Sequence, residues 1–377
     1  MDLKLAAFLR TTLPLDLSGL EELDNGRYGA VWLPDHMVSF WPDTIWTPEF
    51  TDLATVSPSP HRHLDGLAVA AAVAVKTRNV SIASCVVDTV RRHPSLLAQT
   101  ALTLDHLSGG RFILGLGSGE TENTVPYGFD FSKPVGQFEE SLKVIRMLWE
   151  SEGPVDFEGQ FYKLHHARLD TETYAGRFPE IWVGASGPRM LQITGRLADG
   201  WWPTAIYSPE DYAAKLAAVR QSAEQAGRDP MAITPALILP CLMGDEEEVA
   251  EILEAPLIKA YALQISAKVM QDRGFEHPMG PEWRGIQDIN PGILTRERIL
   301  DCLAKVDTRS ILAALTHGTP RELARIVKQY HDAGMRIVKV LDYSGMAGLT
   351  YAARAAQKTR ETEDELKALT EEAEVYA

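Results

Sequence analysis

The stretch RFILGLGSGE, from Arg111 to Glu120, decides how this 377-residue chain is read. Phe112, Ile113, Leu114 and Leu116 form an apolar run of the kind that builds a strand buried on both faces. Gly115, Gly117 and Gly119 then strip side chains toward its carboxyl end, where a flat or phosphorylated ligand could approach the backbone. Glu120 follows at once, with a carboxylate able to hydrogen-bond such a ligand or move its proton. A dinucleotide-binding fold would open on such a strand and spell G-x-G-x-x-G. Here the pattern is G-x-G-x-G-E, it comes fourth among the strand candidates, and no GK[ST] follows, so the Rossmann and P-loop fingerprints both fail.

Working outward, apolar runs alternate with helical patterns along nearly the whole chain. Strands are expected at Leu3–Leu9, Gly29–Leu33, Val80–Val87, Arg111–Leu116, Glu180–Ala185, Gly200–Pro203, Ile233–Leu242 and Arg336–Leu341. Helices are expected between them at Pro94–Leu107, Gly136–Trp149, Pro188–Leu197, Pro209–Ala226 and Pro320–Ala333. Several of these start with Pro in the first turn, preceded by Ser, Thr or Gly. Eight strands, each followed by a helix or a helix-bearing excursion, predict an α/β fold of the (β/α)₈ TIM-barrel type. Such a barrel needs about 250 residues. The surplus falls into insertions after strands two, four and seven: residues 37–63, 121–135 with 155–177, and 255–308. One domain is expected over 1–357, with an acidic C-terminal tail over 358–377 that reads as a solvated helix or frayed end. The opening MDLKLAAFLRTTLPL loosely resembles a signal peptide, but Arg10 interrupts a short apolar run and no small-residue cleavage site follows, so it reads as the first strand.

Composition narrows the function. Apolar residues make up 45% and charged residues 24%, as in a soluble globular protein. The formal charge of −15 argues against a nucleic-acid partner. No apolar run approaches the ~18 residues of a transmembrane helix. Cys85, Cys241 and Cys302 are far apart and form no CxxC, so neither a disulfide framework nor a zinc site is expected, and a reduced cytoplasm fits.

In a barrel the carboxyl ends of the strands converge on the face that carries active sites. Those ends supply Asp35 and His36 after strand two; Ser84, Cys85, Val87 and Asp88 with Arg91 and Arg92 at strand three; and Gly117, Ser118, Gly119, Glu120 and Asn123 at strand four. Strand five adds Ala185, Ser186 and Gly187 at a helix start with Arg189 in its first turn, and strand six adds Trp201 and Trp202. Each has a plain structural reading: a loop hydrogen-bond pair for Asp35-His36, an N-cap for the Ala-Ser-Gly-Pro turn, packing for the tryptophans. Ser118 lacks a G-x-S-x-G elbow. His61, His63, His165 and His166 show no metal-ligand spacing and read as surface or loop residues; no metal is expected.

The strand-two Asp35-His36, the SCVVD segment leading to RRHPSLLAQT, LSGGRFILGLGSGE, NTVPYGFDFSKPVGQFEESLKVIRMLW and PEIWVGASGPRMLQITGRLADGWWP together resemble the bacterial luciferase-like superfamily. Within it the chain resembles the branch that uses the deazaflavin coenzyme F420. It looks most like phthiodiolone ketoreductase-like enzymes and is similar, less closely, to F420-dependent glucose-6-phosphate dehydrogenase. The resemblance implies hydride transfer between C5 of the deazaflavin and a carbonyl or alcohol carbon of a small-molecule substrate, in a homodimer. It implies that His36 is a proton-transfer residue, that Glu120 is a second acid/base or cofactor contact, and that Asp35 and Asn123 belong to the cofactor site. It further implies a cis peptide at Ser84–Cys85 against the ring, and phosphate-tail contacts from Ala185, Ser186 and Gly187. Arg91, Arg92, Lys133, Arg189 and Arg196 are the candidate cations for that anionic tail. The lysine and arginine that hold a sugar phosphate in the dehydrogenases have no counterpart in GWWPTAIY and SILAALTHG, which points to an uncharged, apolar carbonyl substrate. The open alternatives are an FMN-dependent monooxygenase of the same superfamily and a non-catalytic flavin- or F420-binding protein.

Overall fold

Eight parallel strands close on themselves: β1 (Lys4–Phe8), β2 (Ala30–Leu33), β3 (Ser81–Ser84), β4 (Phe112–Gly117), β5 (Glu180–Gly184), β6 (Gly200–Trp202), β7 (Thr234–Met243) and β8 (Ile337–Asp342). Each pairs with its successor, and β8 returns to β1 through Lys4–Ile337 and Leu5–Val338, so the computed structural model is the expected (β/α)₈ barrel. It describes residues 3–203 and 205–375, with side chains through Leu369 in the C-terminal helix. Every expected strand is present to within two residues at its ends, except that the third divides into β3 and a short extension, Val87–Asp88.

Side-chain alternation along the strands sorts the core into two layers. Val31, Leu33, Leu114 and Leu116 face outward into the helix-packed layer. Ala30, Trp32, Ile113, Trp182 and Trp202 fill the barrel interior, where Trp202 lies with its ring centre 4.9 Å from Trp32 and 4.8 Å from Trp182. Gly115 and Gly117 take the inward positions of β4. A Cβ on Gly115 would stand 1.8 Å from the Ser84 carbonyl oxygen and 2.5 Å from the Trp202 ring; one on Gly117 would stand 2.7 Å from Val86. The glycines therefore do not leave an open floor for a ligand, as the sequence suggested. Their space is taken by the neighbouring strand, a tryptophan and a valine. Ser84 closes this seam, its hydroxyl donating to the Gly115 carbonyl at 3.0 Å and accepting from the Gly115 N–H at 2.9 Å. Gly115→Ala is accordingly expected to cost at least about 3 kcal/mol of stability, read by thermal or denaturant unfolding; an unchanged midpoint would show that the seam can open.

Two of the insertions build over the carboxyl face. Residues from 37–63 and 255–308 pack into a separate apolar cluster around Trp41, Ile45, Leu257, Leu263, Trp283 and Ile289. The Thr121 hydroxyl donates to the Gln287 carbonyl at 2.6 Å, tying this cover to the loop after β4. The insertion at 155–177 holds a two-stranded hairpin, Val155–Glu158 with Lys163–Ala167. The acidic C-terminal segment differs from the expected solvated or frayed end. It continues the helix Leu349–Val375, and Thr362, Glu363 and Leu366 are buried against the barrel, where Arg27 and Tyr28 bind the Glu363 carboxylate.

Candidate active site

A cavity of about 480 Å³ opens at the carboxyl ends of the strands. Phe8, Phe40, Ile206, Tyr207, Ile238, Tyr261, Ile265 and Leu341 make most of its wall apolar, and His36, His63, Cys85, Glu120, Gln264 and Tyr343 bring polar groups to it. Among the described lining residues there is neither lysine nor arginine.

His36 and Glu120 meet here as the strand ends suggested, His36 Nδ1 lying 3.3 Å from Glu120 Oε2. Burial alone would lower the His36 pKa, but the Glu120 charge and hydrogen bond outweigh it and hold the imidazole above its ordinary value. Burial likewise works to raise Glu120, yet His36 and the donors around it bring that carboxyl below its usual range.

Asn123, in the one-turn helix Thr121–Thr124 that follows Glu120, organises the pair. Its Oδ1 accepts from the Met37 and Val38 N–H groups at 2.7 and 3.0 Å, which fixes the amide's orientation. Its Nδ2 is thereby aimed at His36 Nδ1 (3.1 Å), Glu120 Oε2 (3.2 Å) and Glu122 Oε1 (3.4 Å). The donor atoms of His36, Glu120 and Glu122 lie within 4.8 Å of one another, a spacing that could suit a metal. The Asn123 amide N–H₂ group stands among these three atoms.

Two polar residues escaped the sequence reading. Glu122 is fully buried beside Glu120. His63, taken as a surface or loop residue, instead lines the cavity with its ring centre 5.6 Å from that of His36. Neither His63 ring nitrogen has a hydrogen-bond partner among the described residues, and burial, with the neighbouring His36 and His61, lowers its pKa to about 4. His165 and His166 are exposed, in keeping with their reading.

Other expected site residues are placed differently. Asp35 is buried and turned into an ion-pair hub, accepting from Arg91 Nη2 (2.9 Å), Arg92 Nη2 (3.1 Å) and the Gly66 N–H (3.1 Å). Arg91 also binds Asp88, and Arg92 binds Asp65 at 2.9 Å, so these two candidate cations serve the hub. Asp35→Ala leaves two partly buried guanidinium groups short of a partner and is expected to cost about 3–5 kcal/mol, measured by denaturant unfolding. A loss under about 1 kcal/mol would mean that water replaces the carboxylate at no cost.

The non-prolyl cis peptide lies at Cys85–Val86, one residue beyond the expected Ser84–Cys85. The reason is the ladder: the Cys85 N–H still donates to the Leu33 carbonyl at 2.7 Å, so regular pairing runs through Cys85 and the chain departs only after it. Val86 then projects over Gly117 and Gly184, while Val87 is buried in the short extension. Cys85 borders the cavity, its thiol pushed up by burial. Ser118 is half-buried and Gly119 takes a positive φ of 90°, packed against Asp88 and Phe131.

At β5, Ala185 is held by the Trp202 carbonyl and by the Trp201 indole N–H, so Trp201 and Trp202 are buried packing residues. Ser186 is half-buried, and Gly187 is the exposed N-cap of the helix Pro188–Leu197, with no side-chain cap. Arg189 and Arg196 both reach Glu139, at 3.3 and 3.1 Å, and Lys133 is exposed.

With this geometry in place, comparison with known proteins is informative. The sequence profile of the luciferase-like monooxygenases matches residues 28–336. The phthiodiolone/phenolphthiodiolone dimycocerosates ketoreductase of Mycobacterium tuberculosis is 39% identical over 324 residues, covering 84% of each chain. An F420-dependent glucose-6-phosphate dehydrogenase of Nakamurella multipartita is 37% identical over 179 residues, covering 45% of this chain and 52% of its own. The solved structure of an F420-dependent secondary alcohol dehydrogenase in complex with an F420-acetone adduct superposes with a TM-score of 0.67 at 21% identity. It covers 91% of this chain and 94% of its own, a likeness of fold.

Proposed function

Because the chain belongs to the luciferase-like monooxygenase family, we propose that it is an F420-dependent oxidoreductase interconverting a carbonyl compound and its alcohol on a largely uncharged substrate. The observation that carries this reading is the His36–Glu120 pair at an apolar cavity whose described lining lacks any lysine or arginine. A sugar phosphate would need such a cation; an apolar ketone would not.

The residues present fit the cofactor in two respects. Val86 stands over two glycines at the carboxyl ends of β4 and β5, offering an apolar bulge on which a flat ring can rest. The N-terminus of the helix Pro188–Leu197 leaves its N–H groups without a side-chain cap, which suits a phosphate. Ala185, Ser186, Gly187 and Arg189 would hold that end, and Cys85, Val86 and Ser118 the ring end. When bound, F420 supplies or accepts the hydride.

The protein's own contribution is the proton. His36 Nδ1 faces Glu120 Oε2 at 3.3 Å, which leaves Nε2 as the nitrogen available to a ligand. In the reducing direction the His36 imidazolium gives a proton to the oxygen that gains negative charge, and Glu120 stabilises the cation beforehand. In the oxidising direction the neutral ring takes that proton back. The apolar wall excludes water and strengthens these interactions. His63 is neutral throughout and stands beside His36 at the cavity wall.

Titration of the protein with F420 and, separately, with FMN tests the cofactor. F420 is expected to bind with a change in its fluorescence and FMN to bind at least tenfold more weakly. Tight FMN binding without F420 binding would assign the chain to the monooxygenases instead. Hydride transfer to a panel of apolar ketones then separates an enzyme from a carrier, since a binding protein would show affinity without turnover.

A further inference from the structure

We propose that Glu122 is a positioning residue of this site: a neutral, buried carboxylic acid whose O–H donates to Glu120 and fixes that carboxylate as the single anion facing His36. The kinetic meaning of this role rests on the function proposed above; its physical content does not.

Glu122 has no exposed surface. Its Oε1 receives a long 3.4 Å contact from Asn123 Nδ2, its own backbone N–H is a further donor to the carboxyl, and its Oε2 has no hydrogen-bond partner among the described residues. An ionised carboxylate with so few donors would be costly to bury. The Arg91 charge offsets this only in part, because that guanidinium is held by Asp35 and Asp88, and Arg92 is held by Asp35 and Asp65. A second negative charge would also stand against Glu120, since the His36, Glu120 and Glu122 donor atoms crowd within 4.8 Å. One proton on Glu122 removes both penalties and makes the carboxyl a donor, and Glu120 is the neighbouring carboxylate whose charge and side-chain hydrogen bond both favour that protonated form.

The other titratable groups around the pair agree with this assignment. His36 after β2 is held toward its cationic form, His63 is neutral, and Tyr343 after β8 is kept protonated by burial and by the Glu120 charge. Burial and the Glu120 charge push Glu122 itself up to about 10. Glu122 has no path to solvent through its own surface, so it acts through Glu120 rather than on the substrate.

The test is carbon-13 NMR of carboxyl-labelled glutamates in the ligand-free protein, with Glu120→Gln used to assign the Glu120 signal. One protonated glutamate is expected near neutral pH, absent from Glu122→Gln. Glutamine keeps an N–H donor toward Glu120, so the Glu120 midpoint should stay within a few tenths of a unit. Glu122→Met fills the space without a donor and should raise that midpoint by about one pH unit or more. The proposal is overturned if Glu122 titrates with the ordinary surface carboxylates, or if the Gln and Met variants give the same Glu120 midpoint. Should the Met variant not fold, the protonated signal of the parent protein decides alone. No ligand enters the measurement, so its failure would leave the hydride-transfer reading standing, and failure of that reading would leave this one.

Discussion

His36→Ala is expected to lower turnover by roughly 10²–10⁴, the range seen when a positioned general acid–base is removed, while affinity for the cofactor changes little. The proposed role falls to His36 because Glu120 engages one ring nitrogen and leaves the other to the cavity. The pH dependence has a definite sign. The Glu120 charge holds the His36 pKa above its ordinary value, so the acid form persists through neutral pH. Carbonyl reduction should therefore hold at low pH and fall as pH rises through that elevated pKa, with alcohol oxidation showing the opposite slope. Glu120→Gln removes the anion and should move the falling limb of reduction to lower pH without abolishing turnover. Steady-state kinetics in both directions, with cofactor affinity measured separately, check each statement. If His36→Ala turns over at the parent rate, the proton comes from elsewhere, and His63 is the next residue to replace.

The barrel was legible because a parallel strand covered on both faces leaves a near-continuous apolar run in the sequence. That signal is strong for Ala30–Leu33, Phe112–Gly117 and Glu180–Gly184, and their carboxyl ends led directly to His36 and Glu120. What sequence reasoning missed depends on local chain direction rather than composition. The one-turn helix after Glu120 folds Glu122 inward, whereas in an extended loop the same ETEN run would read as solvated. The bridge between Thr12 and His63 holds the His63 segment beside the start of the chain, an antiparallel contact across the barrel mouth that no motif announces. The glycines of β4 were noticed for a sound reason, since each does permit a close approach. Sequence could not tell that the approaching groups are Ser84, Trp202 and Val86 rather than a ligand. Asp35 is ambiguous in the same way: a carboxylate at a strand end with two arginines downstream can face a cofactor or close an ion-pair hub, and the fold shows the hub.

The burial of Glu122 has a thermodynamic consequence independent of any activity. A carboxyl whose pKa is about 10 in the folded chain and near 4.5 when unfolded keeps a proton on folding that the unfolded chain has released, over the whole interval between those values. Fewer protons on the unfolded state mean that stability falls as pH rises, by at most about 1.4 kcal/mol per unit for one such group. Below the unfolded value both states are protonated and the penalty vanishes. Glu122→Gln retains shape and a donor but has no proton to lose, so it is free of this slope. The variant should match the parent near pH 4 and exceed it increasingly toward pH 8, by up to several kcal/mol, with all other groups cancelling in the difference. Denaturant unfolding of both proteins across that range reads the effect directly. A gap that stays constant with pH would mean that Glu122 ionises in the folded protein, and two adjacent carboxylates would then face the His36 imidazolium. A gap that widens with pH would identify the residue beside Glu120 as the site's resident neutral acid, held there at a cost to stability that grows across the physiological range.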